Sequence, residues 1–230
     1  MNESETAGVV RWPQRLIDPL IGTGLFGGYL AALLATVKNL GYARDEGFYY
    51  HAARTYGEWF TLLGSDPAQA FRRPEIDRFW QENHEHPALM KSLFWLSQHC
   101  FTGTLFREPG TATRFPAMVL SALTVALIFV WGKRSYGRAG GIVAALAFAC
   151  MPRVFYQSHL CCFDLPIVAF WLFVTYAYYR SLETRSVWWA LATAVLFGLA
   201  LDTKHNAYFI APAFCVQVLV CHVLERRLPG

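Results

Sequence analysis

Long apolar stretches separated by short charged connections dominate the pattern of this chain. The hydrocarbon core of a bilayer is about 30 Å thick and takes about 17–25 mostly apolar residues in a helix. Stretches close to that length are listed here in chain order, the fifth being the shortest: 16–38, 115–132, 139–157, 163–180, 187–202 and 206–224. Since lipid offers no partner for backbone polar groups, each stretch must be helical. The pattern predicts an all-α polytopic membrane bundle of about six transmembrane helices.

A further apolar segment, 87–104, has a different pattern. Its apolar and polar residues repeat at helical spacing on opposite sides, with Leu89, Leu93, Leu96 and Cys100 facing away from Lys91, Trp95, Gln98 and Thr102. An amphipathic helix of this kind lies at the membrane interface and does not span it. Pro87 suits the first helical position, and His86 then becomes the cap.

With segment 87–104 at the interface, the basic connections fall on one side. These are KRSYGR (133–138), RSLETR (180–185), the tail ERR (225–227) and the start with Arg11 and Arg15. The positive-inside rule makes that side cytoplasmic. We therefore expect a cytoplasmic start (1–15), a transmembrane domain (16–224) and a cytoplasmic tail (225–230). The long loop 40–114, which carries interfacial helices, and the turns 153–162 and 202–206 are expected outside.

Composition agrees with a membrane protein, since 55% of residues are hydrophobic and 16% are charged, against roughly a quarter charged in soluble domains. The net charge of +4 is spread between the apolar stretches, and no basic run suggests nucleic acid. The six cysteines show no CxxC pair or metal-ligand spacing, so we expect them to pack as small hydrophobic residues. The acidic start lacks signal-peptide features, and the first stretch is expected to be a retained span.

Residues with possible chemistry converge on the predicted outer face. They are Asp45 and Glu46 after the first span, the run from His86 to Lys91, and Asp164 and Lys204 at outer span ends. A carboxylate at the membrane surface can accept a proton from an acceptor hydroxyl or amine, and a lysine there can meet a phosphate. Each also has an ordinary reading, as a solvated loop residue, a snorkelling lysine or an N-terminal helix carboxylate.

In this order the motifs read Asp45-Glu46, His86-Pro87-Ala88-Leu89-Met90-Lys91, Arg114-Phe115-Pro116-Ala117, Asp164 and Gly198-Leu199-Ala200-Leu201-Asp202-Thr203-Lys204. The set resembles the polyprenyl-phosphate-dependent C-type membrane glycosyltransferases, near the protein O-mannosyltransferases and the bacterial aminoarabinose and lipopolysaccharide-core sugar transferases. Ala88 stands where the family commonly has a second proline, and Asp202 where a small or apolar residue is usual. Family members are much longer, so the chain resembles their N-terminal half.

The resemblance implies transfer of a sugar, with inversion, from a polyprenyl-phosphate sugar to a glycan, lipid or protein acceptor. It implies catalytic carboxylates at Asp45, the base, and Glu46, and donor-phosphate contacts from Lys91, Lys204 and Arg114. His86 and Asp164 would orient substrate. Glu46 with Asp164 is an alternative divalent-cation pair for Mg²⁺ or Mn²⁺, a requirement that the sequence leaves open. The implied location is a bacterial inner (plasma) membrane, multi-pass among its lipids, with the active face outside the cytoplasm.

Two other functions fit parts of the pattern. A small-solute transporter also combines several spans with a few polar residues, but transporters place ionisable groups near the membrane midplane. Here the notable charges flank the spans. A non-catalytic or truncated protein that keeps the glycosyltransferase fold is the other alternative.

Overall fold

The computed structural model describes residues 14–227, with side chains described for 16–224. The helices are α1 (Gln14–Thr36), α2 (Arg44–Ser65), α3 (Pro67–Ala70), α4 (Arg73–Trp80), α5 (Leu89–Phe101), α6 (Pro109–Ala149), α7 (Pro152–Ser158), α8 (Asp164–Thr184), α9 (Val187–Leu201) and α10 (Ile210–Arg227). Two 3-10 turns, Val37–Asn39 and His205–Phe209, extend α1 and precede α10. Over the described residues there is no strand, so the predicted all-α class is confirmed.

Three segments of the described chain are helical, long and apolar enough to cross a membrane: Leu16–Asn39, Pro109–Ala149 and His205–Leu224. The predicted count of about six spans is therefore not confirmed. The short α9 is apolar. Helix α8 corresponds to the fourth predicted stretch, 163–180.

Helix α6 contains two arms, which correspond to the second and third predicted stretches. Gly137 breaks the helix with φ 75° and ψ 174°. A Cβ added to Gly132 would lie 3.0 Å from the Cα of Gly141, whereas nine residues of straight helix span about 13.5 Å. Residues 109–136 and 138–149 therefore fold back on each other. The predicted stretch 139–157 is a helix only to Ala149, and Pro152 begins α7 after a turn.

At one end of the bundle, called the basic end, the connection between the two arms of α6 contacts Asp18 of α1 and the last turn of α8. The carboxylate of Asp18 accepts hydrogen bonds from Lys133 and Arg138, both at 2.7 Å. Arg134 donates to Glu183 at 2.9 Å. The two basic connections predicted to share a side do share this end. Arg11, the side chain of Arg15 and the predicted tail side chains (225–230) lie outside the described part.

The opposite end, called the site end, gathers the segments predicted on the other side. The long loop 40–114 is mostly helical there, because α2 to α5 fill it. Met90 and Phe94 of α5 pack with Ala117 of α6 and with Phe163, just before α8. Helix α1 packs along α6 through Leu33, Met118 and Phe129. These contacts fix the loop helices over the bundle.

The start of α5 differs from the prediction. The helix begins at Leu89, and its N-cap is Ala88 with no side-chain cap, so Pro87 and His86 are not its first position and cap. The reason is an external partner. The Ala88 N–H donates to Asp202 Oδ1 at 3.2 Å, and the Leu89 N–H donates to the Asp202 carbonyl at 3.1 Å.

Candidate active site

A buried ion pair anchors the site end. The Arg114 guanidinium donates from Nε to Glu46 Oε1 at 2.8 Å and from Nη2 to Glu46 Oε2 at 2.6 Å. Glu46 is 1% exposed and Arg114 is 3% exposed. Two backbone N–H groups complete the carboxylate, from Ala43 at 2.9 Å and Cys161 at 2.8 Å. One side chain therefore joins α2, α6 and the α7–α8 connection.

This arrangement separates the roles of the two adjacent carboxylates. Glu46 caps α2 at its own first turn, and its four hydrogen bonds leave no room for substrate or a metal ion. Asp45, the preceding residue, is exposed. No hydrogen bond or ion pair joins its side chain to the described residues. Geometry thus favours a positioning role for Glu46 and leaves Asp45 as the carboxylate that can meet an acceptor.

Three rings form a floor beside Asp45. Tyr49 lies one turn further along α2, and its ring centroid is 4.4 Å from that of Phe163 and 5.7 Å from that of His86. The rings of His86 and Phe163 are 4.8 Å apart. We call Tyr49, His86 and Phe163 the aromatic floor. It brings together the starts of α2 and α8 and the turn before α5.

Charged groups surround the aromatic floor. Lys204 forms an ion pair with Asp164, and their side chains are 30% and 58% exposed. Burial, followed by the negative charges of Asp45, Cys162 and Asp164, raises the pKa of Tyr49 to about 12. Burial, followed by the positive charge of Lys204, lowers the pKa of His86. Both exposed carboxylates and Lys204 therefore act on the same small region, with His86 neutral near pH 7.

Lys91 lies beneath this region and is fully buried. Its ammonium donates to the Tyr56 hydroxyl at 2.8 Å and to the carbonyls of Asn83 and His86 at 2.7 and 2.8 Å. A weaker contact reaches the Glu82 carbonyl at 3.4 Å. Burial lowers the pKa of Lys91 to about 8. Since its donors are occupied, this lysine holds the 82–86 turn in place and is not presented to a phosphate.

The structure brings together four of the seven predicted site residues at the aromatic floor, namely Asp45, His86, Asp164 and Lys204. Glu46, Lys91 and Arg114 are buried behind it. Sequence reasoning missed Tyr49 and Phe163, although Phe163 directly precedes Asp164 and Tyr49 lies one helical turn after Asp45. Among the described residues, no three His, Cys, Asp or Glu side chains cluster as a metal site.

Comparison with known proteins found one family and one relative. The family model of dolichyl-phosphate-mannose-protein mannosyltransferases matches residues 86–229, which include His86, Asp164 and Lys204 but not Asp45. The chain is also 25% identical over 117 residues to a Bacillus subtilis (strain 168) protein named "Putative mannosyltransferase YkcB". That alignment covers 50% of this chain and 16% of the relative. No solved structure matches.

The family match covers well over half of the chain and contains the site-end turns of α5, α8 and α9. The ordered motifs and the helical bundle agree with it. The chain belongs to the dolichyl-phosphate-mannose-protein mannosyltransferase family of membrane glycosyltransferases.

Proposed function

We propose that the chain takes part in moving a sugar from a polyprenyl-phosphate donor to an acceptor hydroxyl or amine, with inversion, at the extracytoplasmic membrane face. One observation carries this proposal: Asp45, an exposed carboxylate with no side-chain partner among the described residues, borders the same aromatic floor as the Lys204–Asp164 pair. A base and a cation that border one surface suit a reaction that needs both.

In the proposed reaction the acceptor oxygen or nitrogen attacks the anomeric carbon and gives its proton to Asp45. The bond from that carbon to the phosphate oxygen breaks in the same displacement, and the lipid phosphate leaves with the electron pair. A single displacement inverts the anomeric centre, as in inverting glycosidases. The phosphate is a weak base, so it needs charge stabilisation more than a proton. Lys204 supplies that charge through a charge-assisted hydrogen bond.

The other residues prepare this surface. Glu46 and Arg114 fix the first turn of α2, and with it the position of Asp45. His86 and Tyr49 offer ring faces and polar atoms to the transferred sugar or the acceptor. Asp164 holds Lys204 until donor phosphate competes for it. The proposed steps use the protein's own side chains, and the four hydrogen bonds accepted by Glu46 leave its carboxylate no free position for a metal ion.

The membrane arrangement belongs to the same proposal. We propose six spans, counting both arms of α6, α8 and the short α9 with α1 and α10. The alternation of the basic and site ends along these helices supports it. Reporter fusions after Arg138 and after Lys204 test it. We expect a cytoplasmic signal from the fusion after Arg138 and an exterior signal from the fusion after Lys204. The reverse pattern would contradict the proposed topology.

Transfer itself is tested with membranes that contain the parent chain or its Asp45→Asn variant. Both receive a panel of polyprenyl-phosphate sugars, radiolabelled in the sugar, and a mixture of acceptors. We expect label transfer by the parent, and loss of transfer with unchanged membrane insertion in the variant. Full turnover by Asp45→Asn would remove Asp45 as the base. No transfer by a correctly inserted parent would favour a non-catalytic member of the family.

A further inference from the structure

Besides the aromatic floor, the site end has a polar groove between α2, α5 and the start of α6. Its volume is about 400 Å³. The residues that matter to the argument are Arg54, Glu58, Trp95, Gln98, His99 and Thr102. Arg54 follows Asp45 by nine residues, which places it about 13.5 Å along α2 and half a turn around it. The groove therefore faces away from Asp45 and is separate from the aromatic floor.

Polar groups in this groove lack partners within the described chain. Arg54 and Glu58 have opposite charges and helical i,i+4 spacing, which often pairs such residues. No ion pair or side-chain hydrogen bond involves either of them there, nor the amide of Gln98. The hydroxyl of Thr102 is buried and unpaired.

A column of stacked rings forms one wall. The ring of Trp95 is nearly parallel to that of Phe60, at 13° and 5.2 Å, and to that of His99, at 19° and 5.1 Å. His99 is exposed. Its side chain makes no hydrogen bond to another described residue. This stacking holds the exposed ring of His99 in place, and a rigid ring gives a ligand a flat surface at low entropic cost.

We propose that this groove binds a neutral saccharide. The guanidinium of Arg54, the carboxylate of Glu58 and the amide of Gln98 give the lining both donors and acceptors with no net charge. Adjacent hydroxyls of a sugar need such a mixture, and the apolar C–H face of a pyranose packs on a ring. An anionic phosphate would meet Glu58. The proposal does not depend on the transfer reaction, because the groove and Asp45 lie on different faces of α2.

Saturation-transfer NMR tests binding in detergent-solubilised full chain. The probes are methyl α-mannoside, mannobiose and maltose, with inorganic phosphate and a neutral threonine-containing peptide as other ligand classes. We expect a saturation-transfer signal, which reports binding, from at least one of the saccharides. Gln98→Ala and Arg54→Ala should each weaken its affinity about tenfold, the effect of losing one good hydrogen bond.

Matched controls are Gln81→Ala and Arg72→Ala, which remove exposed side chains of the same kinds outside the groove. They should leave saccharide binding unchanged. Asp45→Asn should also retain it, which separates this proposal from the transfer mechanism. The proposal is overturned if no saccharide binds, if binding survives both groove substitutions, if Asp45→Asn abolishes it, or if only phosphate or peptide binds.

Discussion

The carboxylate of Glu46 accepts two hydrogen bonds from the guanidinium of Arg114, at 2.8 and 2.6 Å, across 68 residues of sequence. The same carboxylate accepts the N–H of Cys161. Three separate parts of the chain therefore meet at one buried charge pair. The pair therefore holds these three parts together, and it fixes the position of the neighbouring Asp45.

Removing one member of this pair should unfold the site end. Glu46→Ala leaves the Arg114 charge buried without its counterion, which typically costs about 3–5 kcal/mol. Equilibrium unfolding of purified protein in mixed micelles measures the loss. Asp45→Asn, an exposed neighbour, should stay within about 0.5 kcal/mol of the parent. Equal stability of the parent and Glu46→Ala would show that the pair does not stabilise the site end.

Lys91 should behave as a structural residue. Lys91→Met preserves volume but leaves the part-buried carbonyls of Asn83 and His86 without their donor and removes the buried hydrogen bond to the Tyr56 hydroxyl. A buried polar group left without its partner costs about 1–3 kcal/mol. We expect a lower free energy of unfolding by the same mixed-micelle measurement. If the variant unfolds like the parent but binds donor more weakly, Lys91 contacts the phosphate after all.

Lys204 should show the opposite pattern. Its pair with Asp164 is exposed, and such pairs contribute about 0–1 kcal/mol to stability. Loss of a charge-assisted contact to phosphate should raise the donor KM of Lys204→Gln by roughly 10- to 100-fold. Donor titrations in the transfer assay give this value. Lys38→Gln removes another exposed lysine from the same end and should leave KM unchanged; a similar rise in both variants would indicate a general charge effect.

Sequence patterns predicted the apolar stretches well, because lipid imposes length and helicity on them directly. The basic connections also told which stretches share an end, as the pairing of Arg134 with Glu183 confirms. The number of spans was less accessible. The pattern placed a connection at 133–138 between two stretches, and Gly137 does break α6 there. It did not show that the second of these stretches is helical only to Ala149, or that three described segments are helical, long and apolar enough to span a membrane.

The site was only partly predictable, for a different reason. Local sequence gives each residue's chemistry but not its partners, so Glu46 and Asp45 look equivalent until Arg114 is placed beside one of them. Lys91 looked exposed on an amphipathic helix, yet the 82–86 turn covers it. Asp202 looked like a departure from a motif, and its partner at the start of α5 lies 114 residues away.

Acid should destabilise the site end through His86. Its folded-state pKa is lowered by burial and by Lys204, so below pH 6.5 the unfolded chain takes up a proton that the folded chain does not. Stability is therefore unaffected by this residue above pH 6.5 and falls as pH drops below it, by at most about 1.4 kcal/mol per pH unit. Between pH 7 and pH 5 the Tm of the parent should fall more steeply than the Tm of His86→Gln. Parallel pH profiles would contradict the assignment.

The hairpin of α6 should be sensitive to a single methyl group at Gly141. A Cβ there would lie 2.7 Å from the carbonyl oxygen of Phe129 and from the N of Lys133, both backbone atoms that cannot rotate away. The arms must separate, and overpacking of this kind costs about 1–3 kcal/mol. Gly27→Ala in α1 is the matched control, because a Cβ there meets nothing within 4 Å and alanine favours helix. In mixed micelles the free energy of unfolding should therefore be lower for Gly141→Ala than for the parent, and it should not be lower for Gly27→Ala. Equal stability of the two variants would mean that the arms do not pack as closely as Gly132 and Gly141 indicate, and the assignment of two spans to α6 would lose its support.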